Sequence, residues 1–135
     1  MLSAQVTSSQ DQNTDFEPCK PRLSRYAVGM GPEVAAAVHA LADLLTEMQR
    51  RGKLLATLPG SPPATSRRLA DKPALGLHPL ICVISECHEL FGHSQYGAEA
   101  AKLAISVIKQ GRKFGITLIL DTQSPTAVAD EGGCG

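Results

Sequence analysis

Apolar residues recur at intervals of three and four positions in the first half of the chain, which predicts an amphipathic helix near residues 33–51. The apolar stripe consists of Val34, Val38, Leu41, Leu45 and Met48. Gly31-Pro32 before the stripe and Gly52 after it are typical of helix boundaries. A short segment near residues 25–28 predicts a strand ahead of this helix.

Two apolar runs in the second half lack the alternation of a half-exposed strand. Residues 80–85 read LICVIS and residues 116–121 read ITLILD. Such continuous runs predict strands that are covered on both faces of a parallel sheet. Residues 95–114, which lie between them, show helical spacing, so the order strand, helix, strand predicts a parallel βαβ unit. The expected fold class is therefore α/β.

The other segments are expected to be irregular. Residues 1–14 are small and polar, so we expect them to be disordered, because they cannot bury enough apolar surface to order. Residues 58–78 carry repeated prolines and glycines, which predicts a long surface loop. Residues 128–135 are rich in glycine and are expected to form a flexible tail. These expectations leave one folded unit over about residues 15–127.

The charge balance gives no sign of a basic field over the whole chain, because 13 basic and 13 acidic side chains give a formal net charge of +0. Contact with DNA would have to be local, for instance through Arg67-Arg68 or Arg112-Lys113, and solvated surface charge is the simpler interpretation of both pairs. No apolar segment approaches the roughly 20 residues of a spanning helix, and the start does not resemble an export signal. A cytoplasmic location is expected.

The cysteines and histidines do not match a known metal motif. Cys82, Cys87, His88 and His93 are close in sequence, but their spacing differs from the short Cys-x-x-Cys pairs of structural zinc sites. The chain has 4 cysteines without compact disulfide spacing, which favours reduced thiols. No metal site is predicted from this pattern.

Polar residues follow both predicted strands of the βαβ unit. Ser85 and Glu86 follow the first strand, and Asp121, Thr122 and Gln123 follow the second. Ligands of open parallel sheets bind beyond the carboxyl ends of the strands, so these residues form a candidate site. A glutamate held there could deprotonate a water molecule, and a neighbouring amide could contact a phosphate oxygen. The simpler alternative is that strands become polar where they reach solvent.

Two of these segments carry a resemblance to a known family. Residues 81–91, ICVISECHELF, resemble the Walker B strand of FtsK/SpoIIIE-type DNA translocase ATPases, in which four apolar residues precede Asp-Glu. Residues 111–125, GRKFGITLILDTQSP, resemble the helix end and sensor strand that follow in the family. Residues 15–26 and 47–51 also resemble actinobacterial-type members. The resemblance covers about residues 15–127, in the order the family shows.

The resemblance implies a partial RecA-like P-loop ATPase fold and a role in a ring-forming motor that pumps double-stranded DNA with ATP and Mg²⁺. It assigns Glu86 to the catalytic glutamate and Gln123 to the polar sensor, and it places Ser85 and Thr122 beside the nucleotide.

The chain also departs from the family in two respects. No G-x-x-x-x-G-K-[ST] phosphate loop occurs in the sequence, and Ser85 stands where the family has the magnesium-binding aspartate. We therefore expect no ATP turnover by the chain alone. The strand at 116–121 is expected to be an open sheet edge, which favours self-association or pairing with motor subunits. The alternative is a non-enzymatic α/β interaction module that binds motor subunits or another protein.

Overall fold

The protein forms an α/β structure with a parallel sheet, described here from a computed structural model over residues 2–7, 25–28 and 32–122, with side chains from residue 34 onward. The strands are β1 (Leu2–Thr7), β2 (Arg25–Val28), β3 (Leu80–Ser85) and β4 (Ile116–Asp121). The helices are α1 (Pro32–Thr57), α2 (Arg67–Ala70), α3 (Cys87–Phe91) and α4 (Gly97–Gly111). Two 3₁₀ turns, at Pro73–Leu75 and Arg112–Phe114, complete the described elements.

The sheet has the strand order β2-β1-β3-β4, and all described pairs are parallel. The predicted strands near 25–28, 80–85 and 116–121 and the α/β class are confirmed. The finer prediction of a RecA-like P-loop fold stays a prediction.

The position of β1 differs from the expectation that residues 1–14 are disordered. Leu2–Thr7 pairs with β2 on one side and with β3 on the other, with Leu2 opposite Leu80 and Val6 opposite Ile84. Composition misses this strand because its backbone hydrogen bonds go to strands that are distant in the sequence, so the pairing leaves no local signal. Residue 1 and residues 8–24, 29–31 and 123–135, which include the predicted tail, lie outside the described residues.

Helices α1 and α4 pack together on one face of the sheet, and the core lies between them and β3. The crossovers β2-α1-β3 and β3-α4-β4 both advance in the same direction across the sheet, so crossovers of one hand put both helices on the same face. The buried apolar residues of β3 and β4 are Leu80, Cys82, Ile84 and Ile116, which share one cluster with Leu41, Met48, Ala104 and Val107.

The sheet is covered less completely than the apolar runs predict. Val83 is half-buried and Ile119, its partner on β4, is 46% exposed. In the described part of the chain, β4 has a strand on one side only, as expected for residues 116–121. The continuous apolar pattern therefore overestimates burial, because the described helices lie on only one face. No helix among the described residues is long and apolar enough to span a membrane.

Helix α1 continues past the predicted stop at Gly52 and ends at Thr57. Leu55 is buried in this extension, and the ring of Phe114 lies beside Gly52. Glycine in a helix interior costs about 1 kcal/mol relative to alanine, which the burial of one leucine can offset. Helix α4 and the 3₁₀ turn after it match the helix predicted near 95–114.

The segment at 58–78 is a loop that contains α2 and one 3₁₀ turn, and it is tied to the fold by Arg51. The Arg51 side chain is fully buried, and its guanidinium donates to the carbonyl oxygens of His78 (2.8 Å) and Phe114 (2.6 Å). Glu47 accepts from Arg51 Nε at 2.9 Å. Arg51 therefore joins three segments of the chain.

Candidate functional site at the carboxyl edge of the sheet

The candidate site lies where β3 and β4 end side by side. Ser85 is the register partner of Asp121, so both strands terminate at the same level of the sheet. Helix α3 begins directly after Glu86, and its polar residues His88 and Glu89 lie near this edge. The carboxyl ends of parallel strands are the place where open α/β sheets bind ligands. The edge therefore brings together side chains that are 36 positions apart in the chain, as in the Ser85–Asp121 pair.

Ser85 and Asp121 form a direct hydrogen bond across the two strands. The Ser85 hydroxyl donates to Asp121 Oδ2 at 3.4 Å, and the Ser85 residue is only 1% exposed. A carboxylate thus lies beside the position where the resembled family has an aspartate, but it belongs to the neighbouring strand. Carboxylate and hydroxyl oxygens are the kind of ligands that Mg²⁺ accepts.

Glu86 adopts a left-handed backbone conformation, with φ 55° and ψ 43°. Such a conformation in a residue other than glycine costs on the order of 1 kcal/mol, and outliers of this kind cluster at functional sites. Its side chain is 9% exposed. The turn that separates β3 from α3 therefore fixes a nearly buried carboxylate at the sheet edge.

His88 is the link between the two strand ends. Its Nδ1 lies 2.7 Å from Thr122 Oγ1, just beyond β4, and 3.6 Å from Glu86 Oε2. Its Nε2 lies 4.0 Å from Glu89 Oε1. One hydrogen bond to Thr122 restricts the ring orientation, and the direction of that bond depends on the imidazole tautomer.

Glu89 completes the group from the next position of α3. Its Oε2 is buried and has no hydrogen-bond partner among the described residues. One ligand atom from each of Glu86, His88 and Glu89 lies within 4.8 Å of the others, which is the geometry of a possible cation site. Sequence analysis predicted no metal site, because it tested cysteine spacing. The available signal was Glu-x-His-Glu at the start of a helix after a buried strand.

Cys87 lies next to this group, but its thiol has low reactivity. Burial raises the pKa of the Cys87 thiol, and the nearby negative charges of Asp121 and Glu86 raise it further. A thiol with a raised pKa stays protonated at neutral pH and is a poor nucleophile and metal ligand. Cys82 is buried within β3, so the four-residue zinc cluster excluded by sequence spacing is not formed by the described residues.

Some of the predicted site residues lie at the carboxyl edge, and others do not. Ser85, Glu86 and Thr122 meet at the carboxyl edge, whereas Gln123 lies outside the described residues. The Arg112-Lys113 pair precedes β4 and so lies at the opposite edge, where the Lys113 carbonyl accepts from Thr65 N at 2.7 Å. Six strand residues span about 20 Å, so this pair cannot reach a phosphate at the site of the same chain.

Comparisons with models of protein families, with curated protein sequences and with solved structures gave no match to this chain.

Proposed function

We propose that this chain provides the water-activating part of an FtsK/SpoIIIE-type DNA translocase ATPase site, with Glu86 as the general base. The observation that carries the proposal is the nearly buried Glu86 carboxylate, fixed in a left-handed turn at the carboxyl end of β3. In phosphoryl transfer to water, the protein contributes mainly by positioning and electrostatics, so a rigid acid at a strand end fits that task. Gln123 would contact the γ-phosphate.

The described donors fit Mg²⁺ better than they fit a triphosphate. The Asp121 carboxylate and the Ser85 hydroxyl would hold the ion, which neutralises phosphate charge when it is bound. The sequence offers no glycine-rich loop whose N–H groups could hold the phosphates. The phosphate loop must then come from another polypeptide segment, and the chain acts in hydrolysis only when it is joined to that segment.

Among the described strands, β4 is paired on one side only, and this edge supports the proposal that another polypeptide supplies the phosphate loop. An exposed parallel edge can accept one more strand, and Ile119 and Leu120 are both exposed beside it. We propose that a motor subunit adds its own strand and phosphate loop here, and that the assembled motor acts on double-stranded DNA.

A complementation experiment tests the enzymatic proposal. A translocase motor domain with an intact phosphate loop but with its catalytic glutamate replaced by glutamine is mixed with this chain, and ATP hydrolysis is measured with Mg²⁺. The wild-type chain should restore hydrolysis, and Glu86→Gln should abolish that gain. Glu99→Gln, which changes an exposed glutamate on α4, is the matched control and should act as wild type. Binding to the motor domain without any hydrolysis would reject Glu86 as the base.

The second candidate function is a non-enzymatic interaction module, and the exposed β4 residues favour it. In this case the chain binds motor subunits or itself without nucleotide chemistry. Light scattering after size-exclusion chromatography would show concentration-dependent association, which Ile119→Thr should weaken. Ile105→Thr is the control, because Ile105 is equally exposed but lies on α4. A monomer at all concentrations, together with restored hydrolysis in the complementation assay, would exclude this candidate.

A further inference from the structure

The first helical turn after β3 places three side chains with metal-ligand chemistry on one patch. Glu86, His88 and Glu89 are spaced closely along α3 and its preceding residue, and their ligand atoms lie within 4.8 Å of one another. The set contains two carboxylates and one imidazole, which is a mixed oxygen and nitrogen donor set. Such sets bind first-row transition ions, Zn²⁺ among them, more strongly than they bind Mg²⁺ or Ca²⁺.

The two carboxylates of the patch favour a bound cation. The Glu86 side chain is 9% exposed and the Glu89 side chain is 27% exposed, so two carboxylates share a poorly hydrated space. Like charges in such a space repel, and a buried carboxylate oxygen without a partner carries a desolvation cost. Glu89 Oε2 is such an oxygen among the described residues. A divalent ion would remove both costs at once.

The distances need only a small adjustment. His88 Nε2 is 4.0 Å from Glu89 Oε1, and one ligand atom from each of Glu86, His88 and Glu89 lies within 4.8 Å of the others. Metal–ligand bonds of about 2.0–2.2 Å place neighbouring ligands roughly 3.0–3.5 Å apart. Side-chain rotations that shorten these separations by up to about 2 Å are therefore sufficient.

Thr122 supplies the orientation that a histidine ligand needs. Its Oγ1 lies 2.7 Å from His88 Nδ1, so a ring that donates Nδ1–H to this oxygen presents the Nε2 lone pair toward Glu89. Metal-binding histidines commonly donate their second N–H to such an oxygen. This contact between α3 and the residue after β4 restricts the ring orientation, and the Nδ1–H tautomer leaves Nε2 as the ligand atom.

We infer that Glu86, His88 and Glu89 bind one Zn²⁺ ion, with the remaining coordination positions open to water or a ligand. The inference does not depend on nucleotide chemistry, although both place Glu86 at the centre. A zinc ion held by Glu86 would engage the proposed general base, so bound zinc should lower hydrolysis in the complementation assay.

Calorimetric titration of the chelator-treated full chain with Zn²⁺, without nucleotide, tests the inference. We expect one ion per chain and a dissociation constant in the micromolar range or below. His88→Gln and Glu89→Gln should each weaken binding at least about tenfold. His39→Gln removes an exposed imidazole from α1 and should leave binding unchanged. Equal binding by His88→Gln and the wild type, or no binding by the wild type, would overturn the site.

Two further measurements keep the test decisive. Circular dichroism melts establish that each variant folds, and Thr122→Val, which keeps all three ligands, should weaken zinc binding about tenfold through the loss of ring orientation. Replacement of Zn²⁺ by Co²⁺ reports the ligand atoms through its visible spectrum. Bands without a sulfur-to-cobalt charge-transfer component support the site, whereas a strong charge-transfer band would assign the ion to cysteines and reject it.

Discussion

Ser85 on β3 donates its hydroxyl proton to the Asp121 carboxylate on β4, at a distance of 3.4 Å across the parallel register. A neutral hydroxyl at the end of β3 and a carboxylate at the end of β4 therefore lie next to each other at the carboxyl edge of the sheet. The acid that the family resemblance leads one to expect at position 85 is thus present one strand away. An added carboxylate at position 85 would meet it directly.

Ser85→Asp should destabilise the protein in the absence of a divalent ion. The new carboxylate would be nearly fully buried and would face Asp121, so we expect a loss of roughly 2–4 kcal/mol in the free energy of unfolding at pH 7. Millimolar Mg²⁺ should restore a large part of it, because two carboxylates then share the ion. Urea unfolding with and without Mg²⁺ measures both effects.

The double variant Ser85→Asp/Asp121→Asn is the control for that experiment. It keeps one carboxylate and one neutral partner at the strand ends, so its stability should be closer to that of the wild type and less dependent on Mg²⁺. A single variant as stable as the wild type without Mg²⁺ would show that the two strand ends are further apart in solution than the 3.4 Å contact implies.

The strands and the long helices could be predicted from the sequence because their signals are local. The runs at 80–85 and 116–121 and the stripe in α1 depend on periodicity alone, and their positions agree with the structure. β1 could not be predicted, because its order comes from pairing with β3, whose sequence is more than seventy positions away. The same holds for Arg51, whose partners His78 and Phe114 are distant in the chain.

Arg51→Met should be one of the most destabilising single changes in α1. It removes two hydrogen bonds to carbonyl oxygens and the buried charge that pairs with Glu47, and leaves both oxygens without this donor in a partly buried place, which we expect to cost about 2–4 kcal/mol. Lys53→Met is the matched control, since Lys53 is exposed on the same helix, and its effect should stay within about 0.5 kcal/mol. Chemical denaturation of the three proteins gives the comparison. Equal stability of the two variants would contradict the role of Arg51 as a tie between segments.

Two glycines on the helices should respond to alanine with opposite signs. At Gly111 a Cβ would collide with the carbonyl oxygen of Ile116, so Gly111→Ala should destabilise the protein by about 1–3 kcal/mol. At Gly52 a Cβ would only contact the Phe114 ring at 3.6 Å, and alanine favours the helix, so Gly52→Ala should raise stability by up to about 1 kcal/mol. Thermal melts distinguish the two. A destabilised Gly52→Ala would show that α1 does not continue through this position.

The composition of the candidate site could be predicted only in part. The family resemblance drew attention to Ser85, Glu86 and Thr122, and all three lie at the carboxyl edge. The approach of His88 to Thr122 could not be foreseen, because it depends on a short helix that starts immediately after a left-handed turn at Glu86.

The free energy of unfolding should depend on pH through the ionisation of Glu47. Hydrogen bonds from Arg50 lower the pKa of the Glu47 carboxyl from its usual 4.5, and Arg51 adds to the effect. A lowered folded-state pKa means that the contribution is complete above about 4.5 and is lost as the pH falls through the folded-state value. Glu47→Gln should therefore be less stable than the wild type at pH 7, and the difference should shrink as the pH falls below that range.

Urea unfolding of wild type and Glu47→Gln at several pH values between neutral and acid measures this difference. His78 also titrates in this range, because burial and the charge of Arg51 lower its pKa from 6.5, so its protonation opposes folding as the pH falls below that value. The Glu47 charge raises the pKa of His78, so the comparison is repeated in a His78→Gln background, which removes this contribution. Gln49→Ala, a change at an exposed neighbour without a titratable group, should keep the wild-type pH profile. A constant difference between wild type and Glu47→Gln at all pH values would show that the arginines do not depend on the Glu47 charge.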